Sequence, residues 1–405
     1  MPEDKEMHKY FICGLFLVGT MFRSVAAQEQ QSQMPDRTTS TELVVQIVKA
    51  AQRHAKVHGD KYPPAFSPSE QLLLGNGAAI DLKVFRQATG APIIVWTVDD
   101  VAHMRLFIRE RVEGIISDRP DILRQVVHGE AELPRTNRKD DPGYFTHFDV
   151  EAHAGGKGLR PENTLPAYET ALDSLATTIE TDTGLTKDGI SVVSHDSSLS
   201  PEYCRRNDGK PYADADRVLL KDITLAEAQK TFTCDKISTA GTQKNDPILN
   251  PVAMAFSKTL ALASPYAPVS VEQLYRFVAF YVEYYKTGPG KNLPQAGQRW
   301  RNALSVRFNL EIKINLRPSR QQETFGPERF VDALCGTIMR AHMDSRSDVQ
   351  SFNFQSLLLV QEKFPAIRTV YLFGTVDPRL RYLLPPALLE EVSERNTGPL
   401  PPDDK

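Results

Sequence analysis

The chain is poor in cysteine, in unbalanced charge and in long apolar runs, and each shortage excludes something. Its 405 residues hold four cysteines, none of which stands with histidine at the spacing of a zinc site. Lysine plus arginine, 48, nearly cancels aspartate plus glutamate, 51, for a net charge of −3 and a pI near 6.3. Such a balance gives no reason to expect nucleic acid as a partner. The long apolar run, Tyr10–Phe22, is too short to cross a bilayer comfortably. Met7-His8-Lys9 precede it and the small residues Ser24-Val25-Ala26-Ala27 follow it, the layout of a secretory signal peptide over residues 1–27. A buried N-terminal helix or an anchor is the competing reading. Cys13 lacks the small residues that precede a lipidated cysteine. The mature protein is expected to begin near Gln28 and to be secreted or periplasmic.

What is present is an ordinary globular composition, 41% apolar, enough for one large domain or two modest ones. Residues 28–40 are polar. Leu43, Val44, Ile47, Val48 and Ala51 recur at helical spacing within Thr41–Val57, so residues 28–66 read as a flexible segment plus an N-terminal helix. A second helix, Ala79–Gly90, leads to the buried-type strand PIIVWTV. Another helix, from Val101, then leads to the strand EGIIS.

The densest stretch runs from Phe148 to Leu199. Apolar FDVEAH ends at His153 and breaks into the glycines 155, 156 and 158. Asn163 or Thr164 then caps a helix whose first turn accommodates Pro166. In TTIETDT, Glu180 and Asp182 stand at i and i+2 and project from one face of a strand. A Lys187–Asp188–Gly189 turn leads to ISVVSHD, which reads as a further strand ending at His195 and Asp196. Strand, loop, helix, strand, with ionisable groups at strand ends, is the grammar of a (β/α)8 barrel with its site on one rim.

The ordered set HAGG, PENTLPAY, ETD, TKDG and VVSHDSSL, with Glu311 and Lys313 in NLEIKIN, resembles the glycerophosphodiester phosphodiesterases. That resemblance implies an α/β TIM barrel, two acid/base histidines, His153 and His195, and metal ligation by Glu180, Asp182 and Glu311. Lys313 is placed to hold a phosphate oxygen. The family's arginine after the first histidine is Ala154 here, leaving Lys157 or Arg160 to replace its charge. Glu162 and Asp196 belong to the motifs without a settled role, and Trp96 and Phe354 offer an apolar wall or simple core packing. Hard oxygen ligands suit Mg²⁺ or Ca²⁺, which would offset the charge of an anionic diester. The substrate implied is a small glycerophosphodiester. Alternatives are a phospholipase D-like activity on lysophospholipids or sphingolipids, with a peripheral membrane or lipid contact, and a phosphodiester-binding protein without turnover. The sequence leaves the oligomeric state open.

In that family the W-T-V and I-S-D-x-P strands come seventh and eighth, whereas here they come first. The expected layout is therefore a circularly permuted barrel. Its seventh and eighth strands lie in residues 67–129, a linker at 130–144, and its first six strands in 145–378, followed by a tail, 379–405. A decayed tandem repeat or a misassembled gene is the competing account. Between the third and fourth strands of this scheme lies a long insertion, about residues 200–300, expected to be a lid or collar on the site or else packing on the barrel's flank. Ser270-x-x-Gln273 and Thr224-x-x-Glu227 are capping boxes for two of its helices. Cys204 and Cys234 bracket part of it, and a disulfide there would contribute roughly 3 kcal/mol, while Cys335 reads as a buried thiol.

Overall fold

The computed structural model describes residues 37–75, 78–132, 143–238, 241–316, 318–374, 376, 380 and 384–390. The expected signal peptide and most of the tail lie outside the described residues. Eight parallel strands build the fold in chain order: β1 Ala65–Pro68, β2 Ile94–Val95, β3 Gly114–Ser117, β4 Asp149–Ala152, β5 Thr178–Leu185, β6 Arg307–Ile312, β7 Ser347–Ser351 and β8 Arg368–Phe373. Each is hydrogen-bonded to the next in sequence, and β8 pairs with β1. Bridges Phe66↔Ile93 and Ser69↔Trp96 join β1 to β2, so the sheet closes into a (β/α)8 barrel and leaves no long bare edge.

Alternation along the strands divides their side chains. Phe308, Leu310, Val349, Tyr371 and Phe373 face the surrounding helices within one large apolar cluster. The inner face is divided again. Ala65, Ile94, Ile116 and Val370, with Trp96 against them, form a small apolar patch. Opposite stand Glu151, Glu180, Asp182, Asn309, Glu311 and Gln350, all buried. The three leading strands together with β8 thus supply an apolar wall, and β4 to β7 the polar machinery.

Two expectations are corrected. Three strands, not two, precede β4, because Ala65–Pro68, which straddles the boundary expected after residue 66, is a fully buried barrel strand. The prolines at 63, 64 and 68 disguise it, since proline normally argues against a central strand. Conversely, Ser191–Val193 is not a barrel strand: it pairs antiparallel with Thr183–Leu185 of β5. Residues 186–190 are too few for a parallel crossover, which needs a dozen or more, and suffice for a hairpin. The insertion accordingly separates the second and third strands of the family order, not the third and fourth.

Most helices fall where periodicity places them. Arg37–His58 and Leu82–Thr89 precede β1 and β2, the latter closed by a left-handed Gly90. Both capping boxes form, on Leu225–Thr231 and Val271–Lys286. The Cys204–Cys234 disulfide is present and Cys335 is a buried thiol. Among the described residues no helix is long and apolar enough to cross a membrane.

Candidate active site

The polar half of the barrel opens into a cavity of about 280 Å3. Seven of the ionisable residues singled out in β4, β5 and β6 and the segments just beyond them meet there: His153, Lys157, Glu180, Asp182, His195, Glu311 and Lys313 all line it, whereas Glu162 and Asp196 do not. Strand register is what brings the acids together. β5 and β6 pair with Asp182 opposite Glu311, and Glu180 lies one inward position below Asp182. One ligand atom from each of Glu180, Asp182 and Glu311 falls within 4.8 Å of the other two. All three are buried.

Packing carboxylates this closely is costly unless positive charge intervenes. Burial, reinforced by Asp182, drives the Glu180 carboxyl well above its ordinary range, and burial also raises Glu311. Asp182 moves down instead: burial opposes its charge, but Lys313 and then the two histidines outweigh it. Lys313 Nζ stands 3.1 Å from Glu311 Oε1 and 3.4 Å from Asp182 Oδ1. Burial would lower its pKa, yet the surrounding carboxylates raise it. One lysine cannot neutralise three acids, and a donor set of hard oxygens converging on one point fits a divalent cation such as Mg²⁺ or Ca²⁺.

Neighbours hold each acid in place. Gln350 Nε2 donates to Glu180 Oε1 at 2.7 Å and the Ala154 amide to Glu180 Oε2 at 2.8 Å. Asn163 Nδ2 donates to Asp182 Oδ2 at 2.9 Å. Deeper in the barrel, Asn309 Nδ2 donates both to Gln350 Oε1 and to Glu151 Oε2, each at 2.9 Å. The result is a chain of hydrogen bonds running up to Glu180.

His153 directly follows β4, with Nδ1 2.6 Å from Asp118 Oδ1. The loop beyond it must pass close to other backbone. A Cβ on Gly158 would lie 2.7 Å from the Asp118 carbonyl oxygen, and one on Gly155, at φ +81°, 2.7 Å from the Tyr168 ring. His195 arrives by another route. The β5 hairpin folds back, the Ser194 amide donates to the Asp182 carbonyl at 3.0 Å, and His195 comes to rest beside the acids. Its Nδ1 is 3.0 Å from Asp196 Oδ1, which raises the imidazole's pKa above the usual value, with burial opposing and Asp182 assisting.

Residues 153–397 match the family model of the glycerophosphoryl diester phosphodiesterases, more than half of the chain. The chain belongs to this family. Over 51 residues it is 51% identical to a lysophospholipase D of Mus musculus, a span of 13% of this chain and 16% of that protein. Over 79 residues it is 39% identical to a glycerophosphodiester phosphodiesterase of Bacillus subtilis, 20% of this chain and 23% of that protein. The chain thus spans less than a quarter of the length of either relative. An Oleispira antarctica phosphodiesterase, solved with the product sn-glycerol-3-phosphate, is 19% identical with a TM-score of 0.36, covering 57% of this chain and 70% of that one.

Within this family member the structure also sorts the remaining expectations. Trp96 lines the same cavity as His195, its indole Nε1 donating to the Ser67 carbonyl at 2.8 Å. The ring against it is Phe352, edge-on at 5.5 Å, and not Phe354, which is buried against Tyr371 and Phe373. Lys157 reaches the cavity, but Arg160 does not. Its Nε donates to Asn250 Oδ1 at 2.7 Å and Nη1 to the Leu159 carbonyl, so it ties the loop to the insertion. Glu162 lines a narrow cleft beside His195, with burial raising its carboxyl. That cleft continues past Tyr203, the Cys204–Cys234 pair and Tyr266, which sets the insertion against the site.

Sequence reasoning missed Asp118, Gln350, Asn309 and the bridging role of Asn163. Asp118 lay in the I-S-D-x-P motif used only to mark a strand, and Asn163 in a motif read only as a helix start. Gln350 and Asn309 carried an i+2 signal with no charge to draw notice.

Proposed function

We propose that this chain hydrolyses glycerophosphodiesters to an alcohol and glycerol 3-phosphate. The observation that carries this reading is one cavity holding three converging carboxylates, two cationic lysines and two histidines, each histidine with its own carboxylate partner. Glu180, Asp182 and Glu311 would hold a divalent cation, Mg²⁺ or Ca²⁺, whose chemistry when bound is to offset the charge of the phosphodiester.

The chain's own residues do the rest. Lys313 and Lys157 draw the anionic phosphate into the mouth, Lys157 supplying the charge that Ala154 does not. One imidazole takes the proton of the glycerol hydroxyl next to the phosphate as its oxygen bonds to phosphorus. The other gives a proton to the alcohol oxygen as its bond to phosphorus breaks. Reversal of the two roles lets water open the resulting cyclic phosphate and leaves glycerol 3-phosphate. Asp118 and Asp196 orient the rings. Trp96 and Phe352 form the apolar wall beside the leaving alcohol.

Release of glycerol 3-phosphate from glycerophosphocholine, with and without chelator, tests the reading. Turnover lost on chelation and in His195→Ala supports it, whereas binding without turnover in the untreated protein would assign a binding role instead.

One observation favours a lipid substrate as the second reading. Ile248 is 76% exposed and Leu249 44%, on the insertion whose Lys244 amide donates to the Leu159 carbonyl at 3.0 Å. Lysophosphatidylcholine turned over faster than glycerophosphocholine would select it. Two further inferences accompany the main one. The chain is exported, which the Cys204–Cys234 disulfide supports and N-terminal sequencing of the mature protein tests. Its barrel is circularly permuted, since the family match begins at His153, directly after β4, while three strands ahead of β4 complete the sheet.

A further inference from the structure

A second cluster of metal-ligating side chains stands outside the barrel mouth. The helix Arg37–His58 carries His54 and His58 in its last turns, four residues apart and therefore on one face. Their rings lie 4.5 Å apart between centroids, tilted by 36°. Facing them is Glu362, on the helix Phe354–Lys363 that connects β7 to β8. One ligand atom from each of His54, His58 and Glu362 lies within 4.8 Å of the other two.

A buried neighbour fixes the chemistry of this cluster. Gln361 is fully buried, and its Nε2 donates to Thr369 Oγ1 at 3.0 Å. That bond turns the amide oxygen toward His54, where Oε1 meets Nδ1 at 2.8 Å. Nδ1 must therefore carry a hydrogen, and in the neutral ring Nε2 keeps its lone pair. Nε2 points at Glu362 Oε1, 3.3 Å away. A lone pair facing a carboxylate oxygen needs positive charge between them, either a proton or a cation. A second imidazole beside the pair favours a cation, because His58 adds a nitrogen ligand that a lone proton would not use. Holding one ring nitrogen by a hydrogen bond so that the other is free to ligate is the usual outer arrangement of a histidine metal ligand.

We propose that His54, His58 and Glu362 bind a divalent cation of the Zn²⁺ class, which fastens the N-terminal helix to the helix between β7 and β8. Two imidazoles and one carboxylate suit Zn²⁺, while the all-oxygen cluster in the barrel suits Mg²⁺ or Ca²⁺. The two sites are thus separable by metal as well as by position. The clamp is structural, since none of its three residues lines the barrel cavity.

The test uses the full chain stripped with chelator and titrated with ZnCl2, read by competition against a chromophoric chelator and by thermal unfolding. The Glu180→Gln/Asp182→Asn variant is expected to keep one Zn²⁺ equivalent and to melt higher when it is added. His58→Ala and Glu362→Gln are each expected to bind that equivalent at least tenfold more weakly and to lose the rise in Tm, with phosphodiester turnover unchanged. Equal Zn²⁺ affinity in His58→Ala and the unaltered chain would overturn the proposal. So would loss of all Zn²⁺ binding in the Glu180/Asp182 variant.

Discussion

Glu311 stands directly opposite Asp182 across the β5–β6 pairing, and Lys313, the next inward residue of the β6 segment, bridges the two acids. One register thereby fixes three of the groups around the cavity. Glu311→Gln keeps the shape and removes a charge. The expected outcome is a fall in kcat/KM of about 10²-fold or more, with a higher divalent-cation concentration needed for half-maximal rate. Titration of activity with Mg²⁺ and Ca²⁺ after chelation checks both.

The proposed reaction assigns both proton transfers to the histidines, so His153→Ala and His195→Ala should each lower kcat by about 10² to 10⁴-fold. Asp118→Asn should cost less, because His153 remains and only its orientation and charge support are lost. Steady-state kinetics on one diester substrate distinguish them. Equal rates in Asp118→Asn and the unaltered chain would remove Asp118 from the site.

Gln350 reaches Glu180 from β7, so Gln350→Leu should weaken cation affinity by about 10 to 100-fold without unfolding the barrel. Near-identical affinity would mean that the Ala154 amide alone orients Glu180. Metal-dependent protection against thermal unfolding provides the readout.

Glu169 provides a pH-dependent element remote from the cavity. It is fully buried, accepts from the Val252 and Ala253 amides, and burial pushes its carboxyl up to about 8. The folded state therefore holds this proton more tightly than the unfolded chain, whose value is near 4.5. Its contribution to stability is full below about pH 4.5 and is lost as pH rises through 8. Glu169→Gln should flatten the fall of stability across that window, by up to about 1.4 kcal/mol per pH unit. Denaturant titrations at several pH values test this, and parallel slopes would refute it.

The closed sheet predicts the behaviour of fragments. A chain of residues 145–405 lacks β1, β2 and β3, exposes two edges and should not unfold cooperatively. Supplying residues 37–132 as a separate chain should restore soluble, active protein. An independently folded, active 145–405 fragment would show the leading strands to be an appendage.

Much of the site was legible in the sequence because side-chain direction in a strand is local. Glu180 with Asp182, and Glu311 with Lys313, share a face whatever their strands pair with. His153 and His195 likewise end recognisable apolar segments. Partners supplied by other strands were not legible, since Asp118 beside His153 depends on β3 lying next to β4.

Backbone connectivity was harder to read than chemistry. The Ser191–Val193 arm has the composition of a barrel strand and the connection of a hairpin, and the shortness of residues 186–190 decides in favour of the hairpin. Ala65–Pro68 has the composition of a loop, and only the bonds from β8 and β2 make it a strand.

From its residues alone this chain specified an α/β barrel with acids, histidines and lysines at strand ends, because periodicity and turn chemistry act over a few residues. Tertiary structure decided which strands are neighbours, that Arg160 turns to Asn250 instead of the cavity, and that Phe352 and not Phe354 faces Trp96. Those choices depend on register and packing between segments far apart in the chain, where no local pattern reaches.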